Sequence, residues 1–172
     1  MGTHSYIAKQ IGDDQYLTIY CQLDGHPEFN GMILTKCYST SEQVDALLAL
    51  GDLYCLGEKL TPDSECPDFG SRQPRMTVAY QRDRGCSGQD AVIKTFEELY
   101  DEADWAGIEY IYIYALNGQW FYLSIGNPDA ELRCLKDDLE NDTIQYNEPP
   151  DLDVLLGKDW DDEQEDGPSI EL

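Results

Sequence analysis

A chain of 172 residues, 41% of them hydrophobic, has enough material for one domain with its own core and no need of metal or disulfide staples. Its 35 acids against 11 bases leave a net charge of −24, which excludes direct grip on nucleic-acid phosphates or anionic membranes as an expected activity, because both call for clustered Lys and Arg. The charge is lopsided: residues 1–96 hold 13 acids and 8 bases, whereas residues 97–172 hold 22 acids and 3 bases, so the second part carries −19.

The first residues lack a basic segment followed by an apolar one, and no window nears membrane-spanning length, so a cytoplasmic location is expected. Cys21, Cys37, Cys55, Cys66, Cys86 and Cys134 are widely spread with no C-x-x-C pair, which reads as reduced thiols. Residues 5–11 and 16–23 alternate as two strands around Gly12-Asp-Asp-Gln15, with Leu17, Ile19, Cys21 and Leu23 on one face. After the loop "DGHPEFNG" (24–31) comes a short helix bearing Ile33, Leu34, Cys37 and Tyr38. A second helix follows the capping pattern Ser39-Thr-Ser-Glu42, lined by Val44, Leu47 and Leu48 and ended by Gly51. Residues 57–75 read as a surface loop, Met76–Gln81 as a strand, and "RDRGCSGQD" as a further loop.

The spacing predicts a third helix from about Asp90 to Asp104. Val92, Phe96, Leu99 and Ala103 share its inner face, and Glu97, Glu98, Asp101, Glu102 and Asp104 its outer one. Asn117-Gly118 between two β-rich runs predicts a two-residue hairpin in which Tyr114 faces Phe121. That register puts Tyr110, Tyr112, Tyr114, Phe121, Leu123 and Ile125 on one face, and Ile111, Ile113, Ala115, Trp120 and Tyr122 on the other. With both faces apolar, the hairpin is expected to sit centrally, with at least one face packed under helices. Asn127-Pro128 predicts a last helix to about Glu140 with Leu132, Leu135 and Leu139 inward. The expected architecture is a single α+β domain over 1–148, an antiparallel sheet packed by three to four helices. Residues 149–172, with nine acids and one lysine, form an acidic tail.

Catalytic patterns are scarce. Neither His4 nor His26 stands in a catalytic context, and Gly85-Cys-Ser-Gly88 lacks both the G-x-S-x-G pattern and a partner base, so no catalytic residue is nominated. No Cys/His spacing suits zinc, and neither phosphate-cradling glycine motif occurs, so no metal or cofactor is expected. Asp162, Gln164, Asp166 and Gly167 imitate the start of an EF-hand loop. Its bidentate glutamate would fall at position 173, past Leu172, so no EF-hand is expected.

The acids themselves remain. Carboxylates three and four residues apart on a helix lie about 5–6 Å from one another, comparable with phosphates along a strand. Glu97, Glu98, Asp101, Glu102 and Asp104, with Asp137, Asp138 and the tail's Asp161 and Asp162, are the expected contacts to a basic partner, and Tyr110, Tyr112 and Tyr114 its expected aromatic anchors. A competing expectation is a small-molecule binder, such as one for a nucleotide signal. It would use the 24–31 loop and a pocket walled by Tyr16, Tyr20 and the hairpin tyrosines.

The opening "MGTHSYIAKQ", the segment "YLTIYCQLDGHPEFNGMILTKCY" and "LLALGDLYCL" resemble a family of small phage and prophage proteins. Those open Met-Gly-Thr-Arg-Ser, carry a Y-C-x-x-D-G-x-P-E-x-x-G loop and continue to L-G-D-L-S-x-L. Met1, Gly2, Thr3, Ser5, Cys21, Asp24, Gly25, Pro27, Glu28, Gly31, Gly51, Asp52 and Leu53 match. His4 stands where the family has arginine, and Gln22-Leu23 where it has His-Trp. The resemblance covers about the first third of the chain and implies a mobile-element protein of a bacterial cytoplasm. By analogy with acidic anti-restriction and anti-CRISPR proteins, the expected function is non-enzymatic inhibition of a host nucleic-acid-binding defence complex. The acidic surface would stand in for nucleic acid in the basic channel of a protein or ribonucleoprotein.

Overall fold

The computed structural model describes residues 2–63, 75–85 and 88–146. The expected tail, 149–172, lies outside them. The described residues form an α+β fold with one eight-stranded sheet that is mostly antiparallel, and five α-helices.

The N-terminal hairpin forms where the alternation places it, as β1 (Ser5–Gly12) and β2 (Gln15–Cys21). A single π-type turn (Pro27–Gly31) then runs into α1 (Met32–Cys37). α2 (Ser41–Leu48) begins one residue later than the Ser39 pattern suggests. Thr40 is the cap, its hydroxyl accepting from the Gln43 amide while Gln43 reaches back. The short strands β3 (Leu53–Cys55) and β4 (Val78–Ala79) follow, and the expected strand at 76–81 stops at Ala79 because α3 (Tyr80–Arg84) starts there.

The chain then forms β5 (Val92–Lys94), α4 (Phe96–Ala106) and the hairpin of β6 (Tyr110–Tyr114) and β7 (Trp120–Ser124). β8 (Arg133–Cys134) and α5 (Leu135–Asn141) complete it. The strand order is β4-β3-β2-β1-β6-β7-β8, with β5 also on β2. Two pairings are parallel, β1 with β6 and β2 with β3. The first strand of the chain thus lies between β2 and the C-terminal hairpin, which is as central as its two apolar faces require.

Helices cover both faces. On one, Ile7, Ile19, Tyr112, Trp120 and Tyr122 pack with Ile33 and Leu34 of α1, Val44, Leu47 and Leu48 of α2, and Leu135 of α5. On the other, Ala8, Ile111, Ile113, Leu123 and Ile125 pack with Leu99 and Ala103 of α4. Full burial of one such aliphatic or aromatic side chain stabilises the fold by roughly 1.5–3 kcal/mol.

Three expectations are corrected. The hairpin register is shifted by one residue, with Tyr114 opposite Trp120 and Ile113 opposite Phe121. The Gly118 amide donates to the Ala115 carbonyl, the Ala115 amide donates to the Gln119 carbonyl, and Gly118 sits at φ +81°. This is a three-residue loop in which a type I turn is followed by a left-handed glycine. The shift turns every β7 side chain over, so Trp120 and Tyr122 join the tyrosine face and Leu123 and Ile125 the isoleucine face.

Secondly, Val92 is not on a helix. It pairs with Thr18 in the sheet and is exposed, because the helix cap is Thr95. Thirdly, the helix expected from Pro128 begins only at Leu135. Asn127 does act as a local cap, accepting from the Asp129 amide at 2.9 Å. The segment then leaves the helical path so that Arg133 and Cys134 can pair with Tyr122 and Phe121, and Leu132 is left exposed.

Candidate functional site

The outer side of α4 is held by caps at both ends. The Thr95 hydroxyl accepts from the Glu98 amide at 3.1 Å, and the Glu98 carboxylate accepts from the Thr95 amide at 2.9 Å. Asp14, from the β1–β2 turn, accepts the Phe96 amide at 2.9 Å, so a separate element fastens the first turn. Gly107 closes the other end in the left-handed conformation, φ +76°. With Leu99 and Ala103 buried, Glu97, Glu98, Asp101, Glu102 and Asp104 all emerge into solvent, as the periodicity requires.

They are not equivalent. Glu98 is engaged in the cap, and Glu102 is ion-paired with Lys94 of β5. Glu97, Asp101 and Asp104 remain as the outward row, spanning seven residue steps or about 10 Å of helix axis.

The tyrosines are not anchors. Tyr110 and Tyr112 are 0% exposed and Tyr114 6%. Their hydroxyls are spent inside the fold: Tyr112 donates to the Gly25 carbonyl at 2.5 Å and Tyr114 to the Ser39 carbonyl at 3.0 Å. The Tyr110 ring lies over that of Tyr112 and meets the edge of His26. This corrects the expected role of all three, since α1, α2 and the 24–31 loop cover the face they occupy.

The expected ligand pocket is filled for the same reason. Its loop packs directly on the tyrosines, while Tyr16 and Tyr20 stand on the opposite face of the sheet with the α4 cluster. A groove of about 700 Å³ does open elsewhere, between α1, α5 and the tip of the β6–β7 hairpin. It is lined by Met32, Lys36, Trp120, Cys134, Lys136 and Leu139.

Asp137 and Asp138 are neighbours with opposite fates. Asp137 is exposed on α5 at the rim of that groove. Asp138 is 4% exposed and accepts four hydrogen bonds: from Tyr122 Oη (2.6 Å), Arg133 Nε (2.5 Å), Arg133 Nη2 (2.9 Å) and Thr143 Oγ1 (2.6 Å). Burial by itself would raise its pKa. The guanidinium and the two hydroxyls outweigh that and hold it at about 2. Asp138 is therefore a buried carboxylate that clasps β8 and α5 to β7, not a contact for a partner. The expected contacts Asp161 and Asp162 lie outside the described residues.

One exposed residue escaped the sequence reading. Trp105, in the last turn of α4, is 88% exposed. Its signal was present: it stands four residues after Asp101 and opposite Leu99 and Ala103 on the helix, so the phase that assigned the acids outward assigned the indole outward too.

Residues of the chain's opening, the 24–31 loop and the Gly51–Leu53 segment serve the scaffold. Gly25 packs so closely that a Cβ there would stand 2.7 Å from the Thr3 carbonyl oxygen. Thr3 is hydrogen-bonded to His26 at 2.8 Å, and Arg75 donates to Asp24 at 3.0 Å. The Asp52 carboxylate accepts the amides of Tyr20 and Gln89. Cys21 is buried, which pushes its thiol up to about 12, with Asn30 donating to the sulfur. His4 donates from Nδ1 to the Gln22 carbonyl at 2.8 Å.

Among the described residues there is no group of three His, Cys, Asp or Glu placed to hold a metal ion, and no helix long and apolar enough to cross a membrane. Compared with known proteins, the chain matches no family model, no curated protein and no solved structure.

Proposed function

We propose that this protein is a non-enzymatic inhibitor that binds a basic nucleic-acid-binding protein or ribonucleoprotein and occupies the channel that DNA or guide RNA would fill. The observation that carries the reading is α4. It is a helix capped at both ends, anchored by Asp14, that presents Glu97, Asp101 and Asp104 as a row of carboxylates on a rigid element. Acids fixed on a folded helix present their charge in one geometry, so docking onto a basic groove releases counterions from both surfaces without ordering a chain. The phage-like opening favours a bacterial defence complex, of the restriction or CRISPR kind, as the target.

The test is a triple variant, Glu97→Lys, Asp101→Lys and Asp104→Lys, which spares the capping Glu98 and the ion-paired Glu102. Circular dichroism should show the native fold. Wild type immobilised on a resin should retain a basic protein from bacterial lysate at low salt, release it at high salt, and lose it to added duplex DNA or RNA. The triple variant should retain none. Retention by the folded variant at wild-type level would remove α4 as the interface. A second reading, a small-molecule binder, moves to the groove beside Lys36 and Lys136, whose volume suits a small ligand. A nucleotide that raises the melting temperature of wild type but not of Lys136→Glu would favour it.

A further inference from the structure

Trp105 is more exposed than any other large apolar side chain among the described residues. Tryptophan is on average one of the more buried residue types, so an indole left in water on a well-capped helix calls for an explanation. Its surroundings narrow the choice. Asp101 lies one turn earlier on the same side of α4, with Glu98 a further turn back. The face of an indole is the negative side of its quadrupole, and beside it stands a carboxylate, so both attract a cation. A guanidinium satisfies both together, because its plane stacks flat on the ring while its edge donates to the carboxylate. A lysine ammonium has no plane to stack and is more strongly hydrated.

The described arginines of the chain are all committed elsewhere: Arg75 to Asp24, Arg82 to Asp83, Arg133 to Asp138, and Arg84 over the Tyr54 ring at 4.3 Å. The last pair is a guanidinium-over-ring contact made internally. A second copy of this chain, with its −24 charge, would be repelled from the face rather than drawn to it.

We propose that Trp105 and Asp101 form an arginine clamp, in which an arginine of the partner stacks on the indole and donates to the Asp101 carboxylate. The clamp rests on the reading of α4 as the face that meets a basic partner, and it specifies that partner as arginine-bearing at the point of contact.

Nona-arginine and nona-lysine peptides at equal salt are suitable probes, with affinities measured by titration calorimetry. Wild type is expected to prefer the arginine peptide by about two- to fivefold. Trp105→Ala should abolish the preference while its affinity for the lysine peptide stays within about twofold of wild type. Asp101→Asn should reduce the preference in part. Circular dichroism should be unchanged, since the indole packs on little. Equal affinities of wild type for the two peptides would overturn the clamp, as would a preference that survives Trp105→Ala. An equal loss of both peptides in Trp105→Ala would also overturn it, marking the indole as a plug for an apolar pocket. The broader reading fails separately: in that case neither peptide binds wild type in a salt-dependent way, or the triple lysine variant binds both as well as wild type does.

Discussion

Asp137→Asn and Asp138→Asn remove one charge each from adjacent positions, and the structure assigns them different consequences. Asp138 accepts four hydrogen bonds and has its pKa lowered to about 2. Against an unfolded carboxylate near 3.9, that depression corresponds to about 2–3 kcal/mol of folding stability. An asparagine would keep one acceptor and point an amide donor at Arg133, Tyr122 or Thr143. The partial exposure of Arg133 lets water recover some of the loss, so the expected cost at neutral pH is about 2–4 kcal/mol. Asp137 is exposed, and its substitution should cost less than about 0.5 kcal/mol.

Urea unfolding followed by circular dichroism would show the Asp138 variant with its midpoint lowered by about 1–2 M. The sign of the pH dependence is fixed by the direction of the shift. A depressed folded pKa stabilises above the unfolded value, and that contribution is lost as pH falls from about 4 to about 2. The gap between wild type and Asp138→Asn should therefore close over that window, even as protonation of the surface acids relieves their mutual repulsion in both proteins. Equal midpoint shifts for the two variants, or a gap unchanged from pH 7 to pH 2, would refute the assignment of Asp138 as a buried clasp.

Thr95→Ala removes the α4 cap and should cost about 1 kcal/mol, with Asp14→Ala adding a similar loss because it serves a different amide of the same turn; melting curves of the two single variants and the double check both. Gly25→Ala would place a methyl 2.7 Å from the Thr3 carbonyl oxygen, which the Gly25 amide itself holds, so the soluble yield should fall sharply while Gly12→Ala, which meets only the movable end of the Gln15 side chain, expresses normally. Tyr112→Phe leaves the Gly25 carbonyl without its donor and should lower stability by about 1–2 kcal/mol without changing capture of a basic partner, which would separate the core role of the tyrosines from any role as anchors.

Much of this fold can be read from periodicity, and the failures share a cause. The first hairpin, the Val44/Leu47/Leu48 helix and the outward acids of α4 follow from patterns that local chemistry enforces. Val92 was in phase with Phe96, Leu99 and Ala103, yet a wheel does not register that Thr95 already caps the helix or that β2 offers a free edge at Tyr16–Thr18. Asn117-Gly118 is compatible with two loop lengths, and tertiary packing decided between them by setting Trp120 among the tyrosines, where its indole donates to the Tyr38 carbonyl. The tyrosines alternate as half-exposed strand residues do, and only the covering helices reveal that both faces are closed. Asp137 and Asp138 look alike in sequence because the partners that separate them, Tyr122 and Arg133, are brought close by β7 and β8. Of the candidate site, the acids were legible and Trp105 was legible in principle. Its phase on α4 is that of the acids, but an indole carries no charge to mark it.

The place of β1 has a consequence for how the chain is made. Its first edge is satisfied within moments by β2, but its second edge waits for β6, from Ser5 against Tyr110 to Lys9 against Tyr114. At synthesis speeds of about 5–20 residues per second, the nascent protein spends several seconds with Ile7 and its neighbours paired on one side only. During that interval an unpaired edge rich in Ile, Tyr and Ala is open to other chains. A fragment ending before residue 110 should remain in that state and precipitate. Extending it through Ser124 supplies both β6 and the β7 strand that protects β6 in turn, and solubility should return at that length rather than gradually.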